Sequence, residues 1–292
     1  MSTYTKPQEP LPLTSDQIEE IRMGYQFMSE SLSVDLDEEV PQPPIALSYG
    51  THSYETRRGG KVTEPTSIGT DGNFSFIQAP PKSYKSYFVS MLVSAYLNSG
   101  TRWAPEMKSD RKGRDVVHFD TEQGKFHALK GFRRTADMAE TQDGYKPYSL
   151  RTIGYKDRLG FIEYILKEAD EGSIGLVVID GIADLVSDVN NIVEANECVQ
   201  KLMEWSANYN LHIITVIHSN YGSDKPTGHL GSFCEKKTEC QISLEKDEET
   251  GKIVTVKCKR SRNKPFDEFR FALNELNFPE IIEDEIPSEY NF

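Results

Sequence analysis

Between residues 74 and 218, short apolar runs alternate with longer stretches in which apolar residues recur at helical spacing. Short runs suit strands covered on both faces, and the longer stretches suit the helices that cover them. The alternation therefore predicts parallel strands joined by crossover helices. After a run ending at residue 79, strands are expected at 116–119, 150–153, 174–180 and 212–218, with helices near 123–140, 157–170 and 192–209. Beyond Gly231 the rhythm changes to extended runs at 239–245, 252–259 and 266–273, the first two separated by the turn signal Glu249-Thr250-Gly251. The expected fold is α/β, with a mostly parallel central sheet flanked by helices and an antiparallel C-terminal extension at one edge.

With 292 residues, 37% of them hydrophobic, the chain is long enough for one large α/β core with appendages. Its formal charge of −13 argues at first against a nucleic-acid partner, because phosphate contacts favour a basic surface. The distribution of that charge says otherwise: residues 1–45 carry a balance of −7 and residues 275–292 a further −6, so the middle is neutral and free to hold a basic patch. In the first segment Pro7, Pro10 and Pro12 precede a capping box from Thr14 to Gln17. That box should open a helix through about Ser31, which Pro41, Pro43 and Pro44 end. The expected organisation is an acidic arm with one helix over 1–47, a core over 48–274 and an acidic tail over 275–292. Short extended runs around Gly59-Gly60 suggest a hairpin over 45–68, and Asp71-Gly72 turns the chain into the strand at residue 74. The four cysteines, Cys198, Cys234, Cys240 and Cys258, show no C-x-x-C spacing and read as inert thiols. No apolar run approaches membrane-spanning length and no signal pattern opens the chain, so a cytoplasmic protein without a membrane partner is expected.

The run Phe74-Ser-Phe-Ile-Gln-Ala79 leads into Pro80, Pro81, Lys82, Ser83, Tyr84, Lys85, Ser86 and Tyr87. Tyr87, Phe88, Met91, Leu92, Ala95 and Tyr96 then recur at helical spacing. A strand, a loop ending in Lys-Ser and a helix form the arrangement that holds phosphate: backbone N–H groups wrap the anion, the lysine reaches its terminal groups and the hydroxyl ligates Mg²⁺. The usual G-x-x-x-x-G-K-[ST] pattern (Walker A) has glycines where this chain has Ala79 and Tyr84. By itself the loop is as compatible with an ordinary helix start as with a phosphate site, and the rest of the chain has to decide.

Leu176-Val-Val-Ile-Asp180 ends a buried-strand run in an acid at the carboxyl edge of the sheet, where open α/β sheets bind ligands. Asp180 suits the water shell of a metal, although an acid can also simply terminate a strand. His118-Phe-Asp-Thr-Glu-Gln123 delivers Asp120 and Glu122 to the same edge. Glu122, just past the strand, is the general-base candidate, and Asp120 reads as structural. Thr215-Val-Ile-His-Ser-Asn220 places His218 at the next strand end, either as a γ-phosphate sensor or as a satisfied histidine. The loop 221–231 is either a mobile element that engages a polymer or a surface connection. Lys257-Cys-Lys-Arg-Ser-Arg-Asn-Lys264 carries five bases and no acid. It is either a protected edge strand or the carrier of an arginine finger, with Arg262 ahead of Arg260.

In that order, these motifs resemble the RecA-like ATPases, and within them the RepA and DnaB-like hexameric helicase branch with its relatives on mobile elements. The resemblance covers roughly residues 70–273. It implies a homo-oligomer, hexameric in that branch, with ATP and Mg²⁺ at subunit interfaces and single-stranded DNA as the polymer partner. Lys85 and Ser86 would meet phosphates and Mg²⁺, Asp180 the metal's water and Glu122 the attacking water, while Arg260 and Arg262 act in trans. The chain departs from the branch at Lys264, where the helicase run has glycine, and at the two loop glycines. Mobile-element ATPases with a Lys-Ser-x-Lys-[ST] loop resemble Lys82-Ser83-Tyr84-Lys85-Ser86, bulky residue included. The implied function is ATP hydrolysis in DNA processing: replication, a helicase-type role or mobilisation. A nucleotide-binding regulatory or assembly protein with little hydrolysis is the alternative, and a scaffold that binds no nucleotide a third. The acidic ends serve solubility or compete with DNA for the basic run.

Overall fold

The computed structural model describes residues 13–57, 59–220, 225–247 and 251–282. The chain divides into two compact units, Met1–Gln42 and Pro43–Phe292. In the first, helix α1 spans Ser15–Ser31. Its capping box is formed: Gln17 N donates to Thr14 Oγ1 at 3.3 Å and Thr14 N donates to Gln17 Oε1 at 2.9 Å.

The second unit begins with the hairpin β1 (Ile45–Glu55) and β2 (Lys61–Thr70), which joins the short β4 (Met107–Lys108) in a three-stranded antiparallel sheet. The main sheet is built from β3 (Phe74–Ala79), β5 (Asp115–Asp120), β6 (Tyr145–Ser149), β7 (Ile174–Asp180), β8 (His212–His218), β9 (Cys240–Lys246), β10 (Ile253–Ser261), β11 (Phe269–Leu273) and β12 (Pro279–Ile282). Across the sheet the order is β12-β11-β10-β9-β3-β8-β7-β5-β6. The strands from β6 through β9 run parallel, and β10, β11 and β12 extend the sheet antiparallel. Helices α2 (Lys85–Leu97) and α3 (Lys125–Ala139) cover one face. Helices α4 (Tyr155–Glu168), α5 (Ile192–Asn208) and α6 (Gly228–Lys237) cover the other.

Burial on both faces explains the apolar runs. In β7, Leu176 and Val178 enter the layer under α2 and α3, while Val177 and Ile179 enter the layer under α4 and α5. Helix α2 is buried nearly all round, and Phe269 and Phe271 of β11, in the antiparallel part of the sheet, pack against its Phe88. Phe88 lies 6.0 Å from the Phe271 ring, nearly parallel to it. Among the described residues no helix is long and apolar enough to cross a membrane.

Four elements differ from expectation. The strand expected at 150–153 lies instead at Tyr145–Ser149, on the sheet edge. It is half exposed there and tolerates Pro147, so it shows no apolar run; residue 150 only closes the ladder, Leu150 N donating to Asp120 O at 2.7 Å. Helix α6 begins within the loop expected over 221–231, whose residues 221–224 lie outside the described part. Its glycines read as breakers, yet Gly231 sits so close to Pro226 that a Cβ would strike it. The run expected at 266–273 is a strand from Phe269 only, and β12 lies inside the segment that the charge pattern assigns to the tail.

Candidate functional site

Neighbouring parallel strands bring their carboxyl ends to one edge. Asp120 of β5 stands beside Asp180 of β7, and Ala79 of β3 beside His218 of β8. After Ala79, the loop Pro80–Tyr84 bends through two left-handed residues, Lys82 (φ 61°) and Tyr84 (φ 62°), before α2 starts. Tyr84 thus adopts the conformation a glycine would serve at this position, at a cost of about 1–2 kcal/mol for a residue with a Cβ. Ser83 Oγ donates to Pro80 O at 2.6 Å and closes the bend. The N–H groups of Lys85 and Ser86, first in α2, have no partner within the helix and carry its positive end.

Lys85 is almost fully buried. Its Nζ donates to Pro80 O at 3.2 Å and to His218 Nδ1 at 3.0 Å. Burial lowers its pKa, and the nearby Glu122 and Asp180 carboxylates oppose that shift. Because Nδ1 accepts, the His218 proton belongs on Nε2, which faces Glu122 Oε1 at 3.6 Å. That contact with His218 is the largest influence on Glu122 and holds its carboxyl below the ordinary range against the opposing effect of burial. Asp180 is 4% exposed, and burial, followed by the Asp120 charge, pushes it up to about 6. Ser86 Oγ donates to Asp180 Oδ2 at 3.0 Å. Asp120 accepts from Glu122 N at 3.1 Å and Gln123 N at 2.8 Å, so it shapes the turn that presents Glu122. Thr121 Oγ1 accepts from Gly181 N at 3.0 Å and thereby ties the ends of β5 and β7 together.

Of these residues Lys85, Ser86, Glu122, Gln123 and His218 line a cavity of about 650 Å³ together with Tyr84, Tyr87 and Lys246, and Asp180 lies behind Ser86. A second cavity of about 290 Å³ shares Tyr87, Lys130 and Arg134 with it and adds Phe126, Leu129 and Phe278. Arg134 was missed by sequence reasoning. Its Nη2 donates to Ser86 O at 2.9 Å, its Nε to Ser90 Oγ at 3.1 Å, and its guanidinium lies 3.9 Å from the Tyr87 ring centroid. The only signal was its place on the helical stripe with Gly131 and Met138, since exposed arginines are ordinary in helices.

Arg260 and Arg262 are not brought to this cavity within the chain. β10 runs antiparallel, so Arg260 pairs across from Gln241, near the start of the parallel strands, and the basic run ends at the opposite edge of the sheet. There Arg260 Nη2 lies 3.9 Å from Glu235 Oε1, and Arg262 Nη2 donates to Lys237 O at 2.7 Å. The cysteines are free; Cys240 and Cys258 have their sulfurs 3.8 Å apart on adjacent strands.

Among the described residues no group of three or more His, Cys, Asp or Glu side chains could hold a metal ion. The donors here are one hydroxyl and one carboxylate, Ser86 and Asp180, beside a second acid, Asp120. Such a set fits Mg²⁺, which binds through one or two protein oxygens and completes its shell with water and phosphate. Burial is the main cause of the rise at Asp180, and the second, the charge of Asp120 beside it, is one a divalent cation would relieve.

A loop–helix junction at the end of one parallel strand, facing a buried acid at the end of another, defines the RecA-like P-loop ATPase fold. The chain belongs to an AAA domain family, whose profile matches residues 69–224. It is similar in fold to the RadB recombinase, with a TM-score of 0.52 and 18% sequence identity over 73% of this chain and 92% of that one. No curated protein matches it in sequence.

Proposed function

We propose that the chain binds ATP with Mg²⁺ and hydrolyses it, acting in DNA processing. The observation that carries this is that Lys85, Ser86, Glu122 and His218 line one cavity, with Lys85 bonded to His218, Glu122 3.6 Å from His218, and the buried Asp180 held by Ser86. The free N–H groups at the start of α2 and the Lys85 ammonium would meet the phosphates. Ser86 and Asp180 would hold Mg²⁺, which when bound neutralises charge on phosphate oxygens. Glu122, kept ionised, accepts the proton of the attacking water, and His218 links it to Lys85 and so senses the terminal phosphate. The second cavity, with Phe126, Leu129 and Phe278 in a wall it shares with charged side chains, suits the flat base of the nucleotide.

The fold shared with a recombinase and the exposed Arg260, Arg262 and Lys264 support single-stranded DNA as the polymer and a role in replication, helicase-type work or mobilisation. Arg260 and Arg262, remote from their own cavity, favour action in trans within a homo-oligomer, a hexamer in the helicase branch. Tyr84 supports the second reading, tight binding with little turnover, because the strained loop carries a side chain where glycine would free the backbone.

Phosphate release measured with Mg²⁺-ATP, with and without single-stranded DNA, separates the two readings. Turnover lost in Lys85→Ala and Asp180→Ala is expected. ATP binding without turnover selects the second reading, and absence of both binding and turnover refutes the nucleotide site.

A further inference from the structure

Lys246, the last residue of β9, lines the phosphate cavity although it belongs to no phosphate-loop motif. Alternation along β9 puts it on the same face as Leu244, which packs in the layer under α2. Its ammonium lies 4.6 Å from the centroid of the Tyr84 ring. Among the described residues it makes no ion pair. The ring in turn stands edge-on to Tyr87, with centroids 5.4 Å apart and planes at 88°, and packs against the core beneath α2. Tyr84 is therefore held from two sides in its left-handed conformation, by Tyr87 and by Lys246.

From this geometry we propose that Lys246 is a phosphate-reading lysine supplied by the same chain, that Tyr84 positions it, and that together they favour a nucleoside triphosphate over a diphosphate. The inference rests on the nucleotide site proposed above. A lysine over an aromatic face at a half-exposed site is held weakly, whereas a charge-assisted hydrogen bond to a phosphate oxygen is among the stronger polar contacts. When the last phosphate enters, the ammonium leaves the ring for that oxygen; a diphosphate offers no oxygen at that depth, and the ammonium stays on the ring. A bulky residue at a glycine position then has a purpose that offsets its backbone strain.

Titration calorimetry of the full chain with Mg²⁺-ATP and Mg²⁺-ADP tests this, and the readout is the ratio of the two affinities. The unsubstituted protein should prefer ATP. Lys246→Met should weaken ATP by about tenfold or more, the scale of one charge-assisted bond, and leave ADP within about twofold. Lys246→Arg should keep the preference. Tyr84→Phe should keep it too, since the ring is retained. Tyr84→Gly should bind both nucleotides through a relaxed loop but lose most of the preference, an outcome that a merely structural tyrosine would not give. Equal effects of Lys246→Met on ATP and ADP, or no effect on either, overturn the role of Lys246 while leaving the nucleotide site intact. Absence of any binding by the unsubstituted protein overturns both.

Discussion

Replacing Asp180 with asparagine should stabilise the ligand-free protein while removing its capacity for Mg²⁺-dependent nucleotide chemistry. Asp180 is nearly inaccessible and stands beside Asp120, and the two effects raise it from an ordinary 3.8 to about 6. A carboxyl raised on folding favours its protonated form. The stability this supports is complete below the unfolded value and is lost as pH rises through about 6. Above about pH 7 the ionised side chain therefore costs the fold about 3 kcal/mol, at 1.36 kcal/mol per pKa unit. Asparagine carries no charge, and its side-chain oxygen still accepts from Ser86. In urea denaturation with chelator present, Asp180→Asn should gain about 3 kcal/mol near pH 8 and only about 1 kcal/mol near pH 4.5, without a change in m-value. In the same preparation, stimulation of nucleotide binding by Mg²⁺ should disappear. A gain that does not vary with pH, or a loss of stability near pH 8, would show that the buried charge is compensated and refute the reasoning.

Phe88→Ala should cost about 3–5 kcal/mol, because the ring is fully buried and packed against Phe269 and Phe271; chemical denaturation measures it, with m unchanged. Gly69→Ala places a Cβ against the fully buried His212 ring and should cost about 1–3 kcal/mol in the same assay, since neither backbone nor ring has room to move. Arg134→Met keeps the bulk but removes the donors to Ser86 O and Ser90 Oγ. It should weaken Mg²⁺-ATP binding by roughly tenfold through a displaced Ser86, an effect that Arg134→Lys does not repair because one ammonium cannot span both acceptors.

What could be read from the chain follows from which residues are covered on both faces. β7 was legible to the residue because consecutive side chains enter two different apolar layers. β6 was not, because an edge strand with Pro147 needs no such run. Helix α6 escaped because Gly228 and Gly231 answer close packing against Val189 and Pro226, which no local pattern announces. At the site, Lys85, Asp180, Glu122 and His218 converge because each sits at or just beyond the end of a parallel strand, and strand ends are visible in a sequence. Arg134 and Lys246 depend on how a helix and the strand beside β3 bring them to the loop, which is a tertiary fact. The position of Arg260 turns on one antiparallel step, from β9 to β10, that reverses which edge its end reaches.

That reversal bears on how copies could cooperate. Arg260 and Arg262 lie at the edge of the sheet opposite the cavity, so the trans role proposed for them needs a second copy of the chain. A copy that lends Arg260 to a neighbour does so head to tail, through two unlike surfaces, and the pairing is never reciprocal. In a closed circle every cavity is then served. In an open row of n copies, n − 1 cavities are completed and one terminal copy is left without a donor, so activity per subunit would rise with length and reach its full value only on closure.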